Sequence, residues 1–455
     1  MSHPLLIAPI GRSLLRLAGP TTALMLVQIL VAVADVYFVG RLGTEALAGI
    51  ALVIPFVTLM ANIANGAMGG GVAASMARAL GAGRIDDARA IVMHALVLAA
   101  AFGLLFAGFD WLAAPSLFGL LGGGGAALEQ TLSFSHVWFT GAVAIWASSF
   151  LAALLRGGGD ATTPSLYGFV ASLTYVPLAG VLTLGVADWP GLGLAGSAIA
   201  SLVVATATAL ALARAVWDGR LGFIPSVTNT RLRRDIFREI LNVGFMGSLT
   251  TVTANLTAML VTGLVGRFGV AALAGYGIGA RLEFMVAPVA FGIGSGLTTM
   301  VGVAAGAGVW RRAVKATWVG GLAAFAAIGL IGWTVALLPD AWSRIFTSDS
   351  AVIAASVSYI TRVAPFYCLF GLGLALHFAS QGAGRMAVPV AAGFARLIVA
   401  TLGGWMIVEH TQLGLGGVFG AIAAGMIVYG CLIAGALLIA PWKNEPEPVT
   451  VATST

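Results

Sequence analysis

An acidic residue, Asp35, lies near the middle of an apolar stretch that spans about residues 18–40. Ionisable residues are costly inside the hydrocarbon of a membrane and usually have a function there. Thr21, Gln28 and Asp35 recur every seven residues, so they share one face of a helix, and no cation lies within helical reach of Asp35 on this stretch. A lone carboxylate of this kind is suited to exchanging a proton or a Na⁺ ion. We therefore predict that Asp35 is an ion-coupling residue.

Seven other polar residues and one methionine within apolar stretches are candidates for lining a substrate cavity. They are Gln28, Asn62, Asn65 and Tyr175 in the first half of the chain, and Asn255, Arg281, Glu283 and Met285 in the second half. Two interpretations stay open for several of them. Asn62 and Asn65 either line a cavity or bond a neighbouring helix, and Arg281 and Glu283 either pair with each other or face a cavity. His94, His136 and His377 are scattered, and we expect each to be a hydrogen-bonded helix residue.

No constellation of residues typical of an enzyme is found. The sequence shows no metal-ligand spacing, no phosphate-binding glycine loop and no nucleophile with a nearby base. Cys368 and Cys431 both fall inside apolar stretches, so neither a disulfide framework nor a metal cluster is indicated. We expect no enzymatic activity, no metal and no cofactor other than H⁺ or Na⁺ as a coupling ion.

The composition identifies the class of protein that positions these residues. Of the 455 residues, 59% are hydrophobic and only 9% are charged, whereas about a quarter of the residues of a soluble domain are charged. A membrane-spanning helix needs about 20 mostly apolar residues. Twelve such stretches are predicted, at about 18–40, 47–77, 91–113, 131–155, 164–186, 193–215, 239–264, 271–305, 316–338, 353–379, 386–408 and 416–440. The predicted fold is all-α, a polytopic membrane protein with twelve transmembrane helices.

The distribution of Lys and Arg predicts the orientation. With the N-terminus in the cytoplasm, most of the basic residues that flank the spans lie on that side, and only Arg41, Arg267 and Arg344 lie opposite. The positive-inside rule then places both termini in the cytoplasm, in an inner (plasma) membrane. This loop bias explains the net charge of +6 without a nucleic-acid partner. Arg12, Arg16 and the sequence Ala32-Val-Ala34 superficially resemble a cleavable signal peptide, but the second half retains an equivalent span, so we expect no cleavage.

The sequence contains an internal repeat. Val39-Gly-Arg-Leu-Gly-Thr-Glu-Ala-Leu-Ala-Gly49 returns as Val265-Gly-Arg-Phe-Gly-Val-Ala-Ala-Leu-Ala-Gly275, with eight of eleven positions identical. Six spans in each half bring both halves into the membrane from the same side, so their pseudo-twofold axis follows the membrane normal. The repeat predicts two six-helix lobes, at 1–215 and 239–442, with a cytoplasmic linker at 216–238 and a cytoplasmic tail at 443–455. Doubled halves of this kind are typical of transporters with alternating access.

Several motifs resemble those of the multidrug and toxic compound extrusion (MATE) transporters. They are Val33-Ala-Asp-Val-Tyr-Phe-Val-Gly-Arg-Leu-Gly43, Met68-Gly-Gly-Gly with Arg78-Ala-Leu-Gly-Ala-Gly-Arg84, and Leu155-Arg-Gly-Gly-Gly-Asp160 with Pro164. The resemblance implies export of amphipathic, often cationic, compounds in exchange for H⁺ or Na⁺, by rocking between inward-open and outward-open states. It maps the first-helix aspartate of the family onto Asp35. It also implies a monomer in contact with membrane lipids.

The departures from the family pattern favour one of its branches. Mid-membrane acids are missing from spans seven and ten, and Tyr175-Val-Pro-Leu178 stands where some members have an acid in span five. The pattern is closer to the DinF-like branch, which relies on the aspartate of the N-terminal lobe, and it favours H⁺ coupling without excluding Na⁺.

Two other functions are alternatives to efflux. A flippase for a lipid-linked oligosaccharide needs cavity cations for pyrophosphate, and only Arg281 and Arg396 are available. An intramembrane transferase needs paired carboxylates for Mg²⁺ or a His–Asp pair near one membrane face, and neither is found.

Overall fold

A computed structural model describes residues 3–225 and 231–442. Within these ranges the regular structure is helical, and the β-type pairing is limited to one isolated bridge between Val186 and Trp189. This confirms the predicted all-α membrane fold.

The first half of the chain contains eight α-helices. They are α1 Ile10–Arg41, α2 Thr44–Asn62, α3 Gly69–Gly81, α4 Ile85–Leu120, α5 Gly125–Thr140, α6 Ala142–Gly157, α7 Thr162–Leu184 and α8 Leu194–Trp217. A short 3₁₀ helix, Pro4–Leu6, precedes α1, and a π-helical segment, Ile63–Met68, joins α2 to α3.

The second half also contains eight α-helices. They are α9 Arg234–Gly266, α10 Val270–Gly306, α11 Trp310–Leu337, α12 Pro339–Arg344, α13 Ser350–Val363, α14 Tyr367–Ala383, α15 Ala387–His410 and α16 Gly414–Ile439. The 3₁₀ turn Ala364–Phe366 joins α13 to α14 and contains Pro365, which cannot donate a backbone hydrogen bond.

Among the described residues, eleven helical segments are long and apolar enough to cross a membrane, counting α2–α3 and α13–α14 as one each. A twelfth span is formed by α5 and α6, which meet at Gly141 with a bend of 49°. The twelve spans predicted from hydropathy are therefore present. The fourth span of each half is built from two helices. They are α5 and α6 in the first half, and α13 and α14, joined by a 3₁₀ turn, in the second half.

The helices pack into two compact units. One consists of Gly19–Met76 and Ile85–Gly244, and the other of Met1–Ala18, Ala77–Arg84 and Phe245–Thr455. We call them the N-unit and the C-unit. The predicted lobe boundaries stay a prediction. The predicted linker, 216–238, includes the end of α8 and the start of α9. Part of it, 226–230, and the predicted tail, 443–455, lie outside the described residues.

The repeated glycine motifs make the same close contact in both units. A Cβ on Gly157 would lie 2.4 Å from the carbonyl oxygen of Ala73, and a Cβ on Gly382 would lie 2.4 Å from the carbonyl oxygen of Thr298. Only glycine permits this approach of one helix backbone to another, a device common in membrane helices. The duplication is therefore visible in the packing as well as in the sequence.

The π-helical segment interrupts the second span beside two of the predicted site residues. Asn62 ends α2, and Asn65 lies within the segment. The side-chain amide of Asn65 donates to the carbonyl oxygen of Ala61 at 3.1 Å, a bond that helps to satisfy the backbone where the α-helical ladder changes. Single π turns of this kind are rare and are frequent at functional sites.

Candidate functional site

Asp35 lies on α1, six residues before the helix ends at Arg41. Its Oδ1 accepts two short hydrogen bonds, one from the hydroxyl of Tyr175 and one from the hydroxyl of Ser197, both at 2.7 Å. The two hydroxyl oxygens are themselves 3.1 Å apart. The three side chains come from α1, α7 and α8 of the N-unit, and together we call them the Asp35 triad.

The packing of α7 against α8 brings two members of the triad together. A Cβ on Gly196 would lie 2.2 Å from the carbonyl oxygen of Leu182, so the glycine next to Ser197 permits α8 to lie directly on α7. Ser197 is 1% exposed at this contact. Its buried hydroxyl therefore has a fixed position beside Tyr175.

The packing of α1 against α7 brings in the third member. Leu24 packs against Gly168, and the ring of Phe38 packs against Gly180, where a Cβ would lie 3.1 Å from the ring. Phe38 is three residues beyond Asp35, so it lies on a neighbouring part of the same helix face. The two contacts fix α1 along α7 on both sides of Asp35.

The chemistry of the triad suits a group that changes protonation state. Among the described residues, no salt bridge involves Asp35, and both of its hydrogen bonds go to Oδ1. A hydroxyl both donates and accepts hydrogen bonds, so Tyr175 and Ser197 can bond an ionised or a protonated carboxyl. An arginine or a lysine in their place would hold the carboxylate ionised. The triad therefore offers one carboxylate and two hydroxyl oxygens as hydrogen-bonding partners for a proton or as ligands for another cation.

The other candidates of the first half are not joined to the triad by any hydrogen bond among the described residues. Gln28 is exposed on α1, two helical turns and about 10 Å from Asp35. Asn62 is exposed and Asn65 is partly buried at the π-helical segment. The structure thus separates the neutral polar residues from the carboxylate while keeping them in the same unit.

A second polar cluster lies in the C-unit around Glu283. Its Oε1 accepts a hydrogen bond from the hydroxyl of Tyr359 at 3.2 Å, and the hydroxyl of Tyr367 lies 3.4 Å from that of Tyr359. Arg396, on α15, lies near enough to attract Glu283 electrostatically, but no salt bridge within 4 Å joins them. The Arg396 guanidinium instead lies over the Phe370 ring, 4.4 Å from its centroid.

The remaining candidates of the second half lie apart from this cluster. Arg281 is exposed, and its guanidinium lies over the ring of Phe346 at 5.0 Å. Residues two apart on a helix do not face each other, so Arg281 and Glu283 form no ion pair, and the pairing that the sequence left open is not observed. Asn255 is exposed, with its amide bonded to the carbonyl of Thr251, and Met285 is 44% exposed.

Sequence reasoning missed several residues of these clusters. Ser197 is a small polar residue in an apolar helix, and its type and spacing carry no signal of a role. Tyr359 and Tyr367 were also missed, because a tyrosine in an apolar helix carries no sign of which polar group its hydroxyl contacts. Arg396 was considered only as a possible pyrophosphate ligand.

The histidines have structural partners in two of three cases. His136 Nδ1 lies 2.8 Å from Oδ2 of Asp110, a carboxylate that is 3% exposed, and the Trp111 ring stacks on the imidazole at 4.4 Å. The expectation that the chain has no His–Asp pair was therefore wrong, because the two residues are 26 positions apart and meet only through the packing of α4 against α5. His94 accepts from the backbone N–H of Arg233 at 2.8 Å. His377 differs from the prediction, since its buried Nδ1 has no hydrogen-bond partner among the described residues.

The sequence matches a known family of membrane proteins. A family model, MatE, matches residues 20–181 and 248–406, one match in each half and more than half of the chain together. The chain belongs to the MatE family. It is a multi-pass membrane transporter of small molecules and not an enzyme. Which branch of the family it belongs to stays a prediction.

Relatives of this MatE-family chain carry transporter names. The probable multidrug resistance protein NorM of Thermotoga maritima is 24% identical over 451 residues, covering 96% of this chain and 94% of the relative. The multidrug resistance protein NorM of Burkholderia vietnamiensis is 26% identical and covers 92% of each chain. A protein of Shewanella oneidensis named FAD transporter is 26% identical over 388 residues, covering 83% of each chain.

Solved structures share the fold. A MOP superfamily transporter from Pyrococcus furiosus superimposes with a TM-score of 0.88 at 24% sequence identity, covering 96% of this chain and 97% of the other. The outward-facing structure of a multidrug resistance MATE family transporter gives the same TM-score and identity, covering 96% and 98%.

Proposed function

We propose that this protein is a secondary-active antiporter that exports amphipathic, often cationic, organic compounds in exchange for H⁺ or Na⁺. The observation that carries the proposal is the Asp35 triad, a carboxylate inside a membrane span that is bonded to two hydroxyls. In this mechanism Asp35 takes up the coupling ion from outside, which favours release of substrate, and gives it up inside, which resets the transporter. Rocking of two lobes exposes the site to each side in turn.

One carboxylate is energetically sufficient for this task. A membrane potential of ~150 mV supplies ~3.5 kcal/mol for each charge that crosses. At 1.4 kcal/mol for each factor of ten, this drives roughly two to three decades of concentration gradient for a neutral solute. A single coupling residue in the N-unit therefore supports useful export. The reliance on the first-helix aspartate favours H⁺ as the coupling ion without excluding Na⁺.

The same carboxylate supports a preference for cationic substrates. A cation and a proton would compete for Asp35, so each would bind best when the other is absent, and such reciprocal coupling produces antiport. Neutral hydrogen bonds from Gln28, Asn62 and Asn65 of the N-unit would contact the rest of the ligand.

The localisation follows from the charge distribution. We place the protein in the inner (plasma) membrane as a monomer, with both termini in the cytoplasm and no cofactor other than the coupling ion. The relatives from bacteria and the excess of basic residues on one side support this placement.

Gradient-driven transport in proteoliposomes tests the proposal. Vesicles with an imposed pH or Na⁺ gradient would be given a panel of cationic, neutral and anionic dyes, with wild type compared with Asp35→Asn. Asp188→Asn is a matched control, because Asp188 is exposed between α7 and α8 and undergoes the same chemical change. We expect movement of monovalent cationic dyes that responds to the pH gradient and is absent only in Asp35→Asn.

Equilibrium binding gives a second test. Binding of a fluorescent cationic dye should weaken on acidification in the wild type and lose this pH dependence in Asp35→Asn. Equal affinity at pH 5 and pH 8, or tighter binding of anionic dyes, would defeat the proposal.

A diphosphate-containing substrate is a second candidate. A relative is named FAD transporter, and both FAD and a lipid-linked oligosaccharide, the substrate of the flippase alternative, carry a diphosphate. Arg281 and Arg396 in the C-unit each lie over an aromatic ring and have no carboxylate within 4 Å among the described residues. FAD included in the dye panel tests this candidate, since its transport should fall in Arg396→Gln and be unaffected by Asp35→Asn.

A further inference from the structure

An open groove of about 470 Å³ follows one face of the start of α9. It is lined by Arg234, Phe237, Arg238, Leu241 and Asn242. These positions are spaced at three and four residues, so the five side chains form one continuous stripe along the helix. The stripe combines two cations with two apolar residues, a composition typical of sites for anionic amphiphiles.

The two arginines of the groove keep their charge available. Arg234 and Arg238 are exposed, and neither guanidinium has an acidic partner among the described residues. The neighbouring Arg233 differs, since it forms ion pairs with Asp87 at 2.6 Å and with Asp235. Arg233 thus engages Asp87 and Asp235, whereas the exposed guanidinium groups of Arg234 and Arg238 are within 4 Å of no carboxylate among the described residues.

The helix that carries the groove is firmly attached to the N-unit by its other faces. Ile236 and Ile240 are buried, and a Cβ on Gly71 of α3 would lie 2.7 Å from the carbonyl oxygen of Ile240. The Phe237 ring packs on the His94 ring with their centroids 4.5 Å apart. The groove face is therefore held in place. Within the described residues Arg234, Arg238 and Asn242 are exposed, and Phe237 and Leu241 are half-buried.

The depth of the groove matches the headgroup layer of a bilayer. The 33 residues of α9 extend for about 50 Å, whereas the hydrocarbon core is about 30 Å thick. The groove occupies the first nine residues of the helix, on the side that the charge distribution predicts to be cytoplasmic. Arginines at this depth attract anionic lipids.

We propose that the groove binds an anionic phospholipid of the cytoplasmic leaflet. The phosphate lies between Arg234 and Arg238, four residues apart on the helix, where guanidinium groups can donate paired hydrogen bonds to its oxygens. The glycerol backbone and the start of an acyl chain lie on Phe237 and Leu241. The Asn242 amide donates to an ester carbonyl oxygen. The site is separate from the Asp35 triad and does not depend on the identity of the transported substrate.

Lipid binding in nanodiscs of phosphatidylcholine with 10% spin-labelled phosphatidylglycerol tests the proposal. The preference for phosphatidylglycerol over a labelled phosphatidylcholine would be measured in wild type, in Arg234→Gln/Arg238→Gln and in Arg220→Gln/Arg311→Gln. The last pair removes two exposed arginines elsewhere and is the charge-matched control. Each arginine near the surface contributes about a fivefold gain in affinity, so the groove variant should lose roughly 25-fold at this site while the control keeps it.

The test includes a lysine variant and a competition with inorganic phosphate. Arg234→Lys/Arg238→Lys retains the charge and the fold, and an intermediate loss is expected because lysine cannot form the paired hydrogen bonds. Inorganic phosphate added at millimolar concentration should not displace the labelled lipid. An unchanged preference in the glutamine variant, an equal loss in the control variant, or displacement by phosphate alone would each overturn the proposal.

Discussion

The hydroxyl of Tyr175 should set the pH at which Asp35 exchanges its ion. Tyr175→Phe removes one of the two donors to Oδ1, at 2.7 Å, and leaves the ring that packs between the helices. A hydrogen bond to an ionised group is worth about 1.5–3 kcal/mol and one to a neutral group about 0.5–1.5. The ionised carboxylate therefore loses about 1 kcal/mol more than the protonated carboxyl. At 1.4 kcal/mol for each factor of ten, proton uptake should be favoured about fivefold in the variant.

The midpoint of pH-dependent dye binding measures this effect. In Tyr175→Phe the binding of a cationic dye should begin to weaken at a higher pH than in the wild type, and Ser197→Ala should act in the same direction. Tyr37→Phe is the matched control, since Tyr37 is two residues from Asp35 on α1 but 60% exposed and without a hydrogen bond to a described residue. A midpoint that stays in place, moves to lower pH, or moves equally in the control would refute the role given to the hydroxyls.

Three further outcomes are expected. Asp35→Asn should abolish gradient-driven transport, because an amide does not exchange a proton. The variant should still be inserted and folded, because the amide oxygen accepts the same hydroxyl hydrogen bonds, and wild-type efflux would contradict this. Gly157→Ala should lower the unfolding free energy in detergent by about 1–3 kcal/mol, because its Cβ would lie 2.4 Å from a carbonyl oxygen of α3. Gly108→Ala, with nothing within 4 Å, should show no such loss, and equal melting temperatures for the two would exclude the contact as the cause. His136→Ala should cost about 1–3 kcal/mol by leaving the buried Asp110 carboxylate without this partner, with dye binding retaining its pH dependence; an unchanged melting temperature would count against the pair.

The membrane spans could be predicted from the sequence because the hydropathies of consecutive residues add up along a span. Each span needs only enough consecutive apolar residues, and the repeat reports twice on the same architecture. Departures from straight helices could not be predicted in this way. The stretch Ile63–Met68 lies inside a long apolar span, and hydropathy carries no sign that it is π-helical.

The site could be predicted in part. Asp35 was found because a charge inside an apolar stretch is conspicuous, and Tyr175 because the resemblance pointed to its position. Ser197 was not found, since its importance comes from the contact of α7 with α8 at Gly196. A residue that acts by meeting a partner far along the chain has no local pattern.

The π-helical segment lies in a span that is one residue longer than its counterpart in the second half. The span Thr44–Gly81 has 38 residues, and its counterpart in the second half, Val270–Gly306, has 37. One additional residue in an α-helix turns everything beyond it by about 100°. A π turn takes up the residue locally, so that the helix faces on either side of it keep their directions.

The contacts on the two sides of the segment show that both faces were kept. Before it, a Cβ on Gly49 would lie 3.1 Å from the carbonyl oxygen of Ala127, as a Cβ on Gly275 would lie 2.7 Å from that of Val352. After it, the approach of Gly157 to Ala73 in α3 is matched by the approach of Gly382 to Thr298 in the second half. The π turn therefore accommodates the difference of one residue between the two copies. We expect that deleting one residue from Ile63–Met68 would give an uninterrupted α-helix that keeps both contacts, as α10 does in the second half.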